Sequence, residues 1–419
     1  MPDAPPPSAA LRRDLLAMVV DAIAFSVMVG CGETYLPAFA LALGLGPVAA
    51  GLVASVPVLV GAVVQLAAPF AVAGLGSHRS WVVICTTIQA VSFVPLVACA
   101  SRGRAELWEL LAAASLYWSA GMGAVSAWIA WMAVLVPERV RTPYFAHRNR
   151  LGQVGVLGGF VLGGLLLHAA ESRGLVLQAF AGLFTAAAIF RLVSTAALLA
   201  CREPPTSRAA AGERLAPLRR VPARTLAAVL GMSAKPSGAL VAYLCSFAFG
   251  THVAAPYFAP FMLRELGFSY WSFMLVMATS FLAKAVFLPA IGRLASRTGA
   301  LRLLWLASLA IVPLALCWLP AANVAALCAV QVMAGTAWAA YELATSVLLF
   351  EAVRDSERRA VMTAYNVGLA TATVAGAACG GALLRGLGET WTAYAAVFAA
   401  SVVLRLAALP ALRRLRMPR

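Results

Sequence analysis

Apolar runs of about 20 residues or more recur from one end of the chain to the other, each closed by a short polar or glycine- and proline-bearing break. A helix rises 1.5 Å per residue, so a run of that length crosses a hydrocarbon core of roughly 30 Å. The runs fall at 15–43, 48–72, 81–101, 107–135, 150–170, 175–199, 237–263, 270–292, 302–320, 322–350, 360–384 and 390–412, which predicts twelve spans. No two-residue alternation accompanies them, and lipid admits only segments whose backbone groups pair internally, so each run is a helix. The opening MPDAPPPSAALRRD is polar, and the run behind it is too long for a signal-peptide core, so it is expected to stay attached.

Composition agrees with this pattern: of 419 residues, 62% are hydrophobic and only 11% charged, too apolar for a soluble core. The expectation is an all-α integral membrane protein. A net charge of +16 raises nucleic acid as a partner, but its distribution removes that reading. With both termini cytoplasmic, most Lys and Arg fall in cytoplasmic segments, and Arg102, Arg104, Arg173, Arg264 and Arg385 are left outside. The topology thus accounts for the basic residues, and no nucleic-acid partner is expected. Lys235 and Lys284 are the only lysines among the 32 basic residues, a bias with abundant Ala that points to a bacterial inner membrane. The eight cysteines are scattered singly, without a disulfide framework or a CxxC pair.

The two halves repeat. A shift of 217 positions places Arg141 on Arg358, Asn149 on Asn366, Gly159 on Gly376, Gly163 on Gly380 and Gly164 on Gly381. One of 214 places FAGLFTAAAIFRL on YAAVFAASVVLRL, with Arg191 on Arg405, and span one meets span seven through Pro37 on Pro260. Two parallel six-helix repeats follow, over 1–199 and 237–419, joined by a basic cytoplasmic linker at 200–236 in which RTLAAVLGM is a candidate surface helix. This plan resembles the major facilitator superfamily. That family's loop motif, GxLaDRxGRR, is similar to Gly292-Arg-Leu-Ala-Ser-Arg-Thr-Gly299, where Gly292, Arg297 and Gly299 match and Ser296 stands where Asp is usual. The first-half copy, Gly74-Leu-Gly-Ser-His-Arg79, is degenerate. Gly155 to Gly164 resembles the gxxxGPxxGG of drug antiporters, with Phe160 in place of Pro; the same glycine spacing in span eleven favours plain helix packing.

Ionisable residues inside spans are candidate functional groups, since a central carboxylate costs roughly 2.5–3.5 kcal/mol on insertion scales. Arg191 and Arg405 lie near the cytoplasmic ends of their spans and are expected to snorkel to the interface. Glu33 is short and deep in span one. The resemblance places spans one, four, seven and ten around a central cavity, which makes Glu33 a candidate proton-coupling group. Asp21, twelve positions earlier, points about 120° away, where function and pairing with a loop arginine are both open. Lys284 and Glu342 sit at similar depths, about 12 Å from the cytoplasmic ends of spans eight and ten, and a breakable pair between them suits a switch.

Aromatic residues mark a candidate substrate surface. Tyr117, Trp128 and Trp131 form one stripe of span four with Gly121 and Ala124; span ten adds Trp338 and Tyr341, and span seven adds Tyr243, His252 and Tyr257. No HExxH, GxSxG, P-loop or clustered Met and His is present, so no enzyme, no cofactor and no metal are expected. The resulting expectation is a monomeric, proton-coupled secondary transporter of a small organic solute, working by alternating access in the lipid bilayer. Multidrug efflux, or a non-transporting receptor or assembly factor on the same scaffold, are the alternatives.

Overall fold

The computed structural model describes residues 9–205, 236–320, 323–351 and 358–414. Among them there is no strand, and twelve helices are long and apolar enough to cross a membrane. They are α1 (Ala9–Ala42), α2 (Pro47–Gln65), α3 (His78–Arg102), α4 (Leu107–Leu135), α5 (Glu138–Glu171), α6 (Val176–Ala200), α7 (Ser237–Glu265), α8 (Tyr270–Thr298), α9 (Ala300–Trp318), α10 (Val324–Leu349), α11 (Arg358–Gly386) and α12 (Trp391–Arg413). Every predicted run overlaps one of these twelve helices, so the described residues have the twelve-helix, all-α membrane architecture. The predicted surface helix in RTLAAVLGM, and the linker around it from 206 to 235, lie outside the described residues.

Two boundaries differ most from expectation, each for a local reason. The second run does not continue as one helix: it stops at Gln65 and resumes as the short helix Ala68–Leu75, whose start carries Pro69, a residue that cannot donate to a preceding turn. α5 begins a full twelve residues early, at Glu138, because its first turns are polar yet helical.

Contacts divide the chain into two compact units, Met1–Phe39 with Val60–Arg219, and Ala40–Leu59 with Arg220–Arg419. Within the second unit the start of α2 lies on α7: a methyl group on Gly51 would stand 2.8 Å from the Tyr257 ring.

Both units are built around the same close helix pair. In the first, α1 packs on α5 through glycine, and a methyl on Gly159 would meet the Val27 carbonyl oxygen at 2.5 Å; in the second, one on Gly376 would meet that of Phe249 at the same distance. The glycine rows are therefore packing surfaces. A tyrosine hydroxyl locks each pair, Tyr35 donating to the Phe160 carbonyl at 2.6 Å and Tyr257 to that of Ala377 at 2.5 Å. Rings repeat too. Phe39 packs against Phe180 and Phe184, and Phe261 against Tyr394 and Phe398, so the helices after the glycine pairs are seated by matching aromatic clusters.

The tightest of these approaches is at Gly380, where an added methyl would sit 2.0 Å from the Val253 carbonyl oxygen. Gly380→Ala is expected to destabilise the protein by about 1–3 kcal/mol, as overpacking does elsewhere. Thermal unfolding in mild detergent measures it, and an unchanged midpoint would show that α7 and α11 separate freely.

Candidate functional site

Pro37 shapes the setting of Glu33. Lacking an N–H, and crowding the carbonyl four residues earlier, it cannot follow an unbroken α-helix. α1 accordingly narrows to a 3₁₀ turn at Glu33–Tyr35, in which the Leu36 N–H bonds the Glu33 carbonyl. α7 breaks likewise at Ala255–Tyr257 ahead of Pro260. The turn leaves the Glu33 side chain half-buried, with Oε2 accepting a 2.6 Å hydrogen bond from the Tyr117 hydroxyl of α4. Tyr117 is itself buried, 3.3 Å from the Met28 sulfur and edge-on to Phe93. The sequence offered Tyr117 as a substrate contact; the structure makes it the carboxyl's partner.

Asp21 is 4% exposed and belongs to a separate polar cluster one third of α1 away. Its Oδ2 pairs with Arg148 of α5 at 2.9 Å, and its Oδ1 accepts from the Ser194 hydroxyl of α6 at 2.7 Å. Arg191 donates to the same hydroxyl at 2.8 Å and lies over the Phe25 ring. Two guanidiniums thus surround one carboxylate. Arg148 also donates to the Met18 carbonyl and stacks on Trp128, 4.6 Å from the ring centre.

Snorkelling does not describe Arg191 or Arg405, which are 5% and 3% exposed. Both turn into the protein, Arg191 donating to Ser194 of its own helix at 2.8 Å and Arg405 to the Ile311 carbonyl of α9 at 3.0 Å. In the second half no acid occupies the position equivalent to Asp21, where Leu244 stands.

Within the second unit Lys284 of α8 and Glu342 of α10 form an ion pair on an exposed face. Ser346 donates to the Glu342 carbonyl, and Trp338 meets Tyr341 edge-on at 5.4 Å. Other aromatic candidates are packed away. Trp131, Tyr243 and Tyr257 are fully buried, with Trp131 Nε1 donating to the Arg202 carbonyl and the Tyr243 hydroxyl 2.5 Å from that of Ser308. His252 has Nδ1 2.8 Å from the Ala248 carbonyl of its own helix. Among the described residues no cluster of His, Cys, Asp or Glu could hold a metal.

The loop motif closes α8. Gly292 lies within the helix, Arg297 in its last turn, and Gly299 ends it at φ 81°, a left-handed angle that favours glycine. Ser296, in the usual Asp position, donates to the Arg293 carbonyl. In the first half a distant carboxylate fills in: Glu203, just beyond α6, accepts from the Ser77 hydroxyl at 2.6 Å and from the Arg79 N–H at 3.1 Å at the start of α3. Nearby, Arg202 pairs with buried Asp14 at 2.7 Å. Burial pushes the adjacent Cys201 thiol up to about 12, away from thiolate chemistry.

Comparison with known proteins places this geometry. Residues 239–419 match the model of the Major Facilitator Superfamily. Over 95% of this chain and 99% of its own, a point mutant of the nucleoside transporter NupG superposes with a TM-score of 0.70 at 15% identity. The inward-open xylose transporter XylE from E. coli gives 0.67 at 14% identity, covering 97% and 96%. A D-xylose-proton symporter gives 0.68 at 15% identity, covering 96% and 97%. Among curated proteins none matches the chain.

Proposed function

We propose that the chain, whose residues 239–419 match the model of the Major Facilitator Superfamily, is a member of that family and a proton-coupled secondary transporter of a small organic solute. The observation that carries this reading is Glu33, a carboxyl placed in an apolar helix at a proline-induced break and held by one hydroxyl. A carboxyl so placed costs stability, and a single neutral partner leaves it free to exchange its proton. The Lys284–Glu342 pair, exposed within its own unit, is the second element: it opens when a proton or solute replaces one partner. Asp21, tied by Arg148 and Ser194, supports α1 and takes a coupling part only through that network. Substrate contact is assigned to the partly exposed aromatic groups beside these charges, Trp338 one turn before Glu342 and Trp128 beneath Arg148, while Tyr341 is buried against Phe247.

In this reading residues 1–199 and 237–419 act as the two alternating halves, with 200–236 as linker and Gly292, Arg297 and Gly299 closing a cytoplasmic loop. Both termini face the cytoplasm, and the protein works as a monomer in a bacterial inner membrane.

A ligand that binds only the folded protein raises its melting point, by RT ln(1 + [L]/Kd) in free energy. A thermal-shift screen of purified protein, begun with pentoses and nucleosides because similar folds carry them, is expected to find a stabilising solute. The same solute should then acidify vesicles loaded with a pH dye as it enters. Stabilisation without proton movement would overturn the coupling, and stabilisation without counterflow would leave a receptor.

A further inference from the structure

Helices α7, α11 and α12 enclose a groove of about 620 Å³ within the second unit, walled by Cys245, Phe249, Gly368, Ala372, Leu404 and Ala408. Its size is that of small-molecule sites, about 300–1,000 Å³. Apolar or small side chains make the walls, and the Thr371 hydroxyl among them is spent on its own helix, donating to the Val367 carbonyl. Ser246, Thr371, Ala375 and Ala407 are exposed along it, so the groove is open to the surroundings. All lining residues belong to helices long and apolar enough to cross a membrane.

The two halves of the repeat differ along this groove in both directions: Cys245, Phe249, Ala372 and Ala375 correspond to the smaller Ala22, Ser26, Gly155 and Gly158 of the first half. At the positions equivalent to Gly368, Thr371, Leu404 and Ala407, the first half carries Leu151, Val154, Phe190 and Val193. Every one of these is bulkier than its counterpart or more apolar. An empty groove this large would forfeit dispersion contacts along its walls, and lipid tails are the groups at hand to fill it.

Charge indicates which lipid. Ala411 lines the groove two positions before Arg413, which is exposed, and the chain runs on as Leu412-Arg-Arg-Leu-Arg416 with no acidic residue after Glu389. On the α11 side Arg358 and Arg359 are balanced in sequence by Asp355 and Glu357, so the net positive charge comes from α12. Basic residues at the end of a membrane helix favour anionic headgroups. We propose that the groove seats one acyl chain of an anionic phospholipid, with the phosphate held by Arg413.

The inference does not depend on which solute crosses. It is tested with the full-length protein in phosphatidylcholine vesicles holding a trace of phosphatidylglycerol with a photoreactive tail. Crosslinks are expected on peptides spanning 236–254 and 391–413, and unlabelled phosphatidylglycerol should compete where phosphatidylcholine does not. Neutralising that arginine, R413Q, should weaken that preference by about fivefold. Filling the groove from its exposed rim, A407F with A375L, should cut labelling to less than half while the melting point holds. Equal labelling by phosphatidylcholine and phosphatidylglycerol probes overturns the proposal. So does labelling that ignores unlabelled competitor, a measurement that needs no variant, or crosslinks between two copies of the chain through these helices.

Discussion

Glu33→Gln is expected to abolish proton-driven accumulation of the solute while leaving its exchange across the membrane intact. A potential of 100 mV is worth about 2.3 kcal/mol per charge, so one proton per solute supports roughly a 50-fold gradient. Without an exchangeable proton the variant can only equalise the two sides. Glutamine keeps the size of the side chain and an oxygen to accept from Tyr117, so the 3₁₀ turn around it should persist. The experiment therefore separates coupling from folding: counterflow in proteoliposomes should continue, and uptake driven by a pH gradient should fall to the level of passive equilibration. A variant that still concentrates the solute as the parent does would move coupling away from α1, with the Lys284–Glu342 pair as the next place to look.

The largest loss of stability is expected from Asp21→Ala. This carboxylate is buried, accepts from Arg148 and Ser194, and stands opposite a second guanidinium, that of Arg191. Removing one partner of a buried ion pair leaves charge uncompensated, at a cost of about 3–5 kcal/mol. Both guanidiniums would remain inside the bundle, since Arg148 is held by the Met18 carbonyl and Trp128, and Arg191 by Ser194 and Phe25. The double variant Asp21→Ala with Arg148→Ala should recover about 2 kcal/mol of the loss, because adjacent charges couple by up to about 3 kcal/mol. Unfolding in detergent, followed by tryptophan fluorescence, measures both. A single variant as stable as the parent would mean that water already compensates these charges.

The two experiments read different links of the same helix. Asp21 ties α1 to α5 and α6; Glu33, beyond the next three turns, is the group to which the proposed function gives the proton. Loss of Asp21 should therefore lower the amount of folded protein, and loss of Glu33 should lower only what the folded protein does.

The twelve spans were legible in the chain because bilayer thickness sets the length of each apolar run and lipid forbids unpaired backbone. Those constraints act on each segment alone. The repeat was legible for a related reason: Gly159 with Gly376, and Pro37 with Pro260, are residues that a close approach or a helix break requires, and they keep their register in both halves. Periodicity also showed that Asp21 and Glu33 leave α1 on different sides, as their separate partners agree.

What each of those sides meets was decided by tertiary structure. A helical stripe states which residues share a face, not which neighbouring helix lies against it; hence Trp131, Tyr243 and Tyr257, in stripes that suited a solute, are fully buried. Arg148 reaches Asp21 across 127 positions and Glu203 reaches Ser77 across 126, separations at which local patterns carry no signal. Arg191 and Arg405 are buried, the first on the Ser194 hydroxyl of its own helix beside Asp21 and the second on the Ile311 carbonyl of α9, contacts that span position alone does not show. The sequence alone determined the number of crossings, their repeat and the rare charges within them; helix rotation and pairing, set by the packing of whole faces, determined which charge meets an opposite charge and which meets only a hydroxyl.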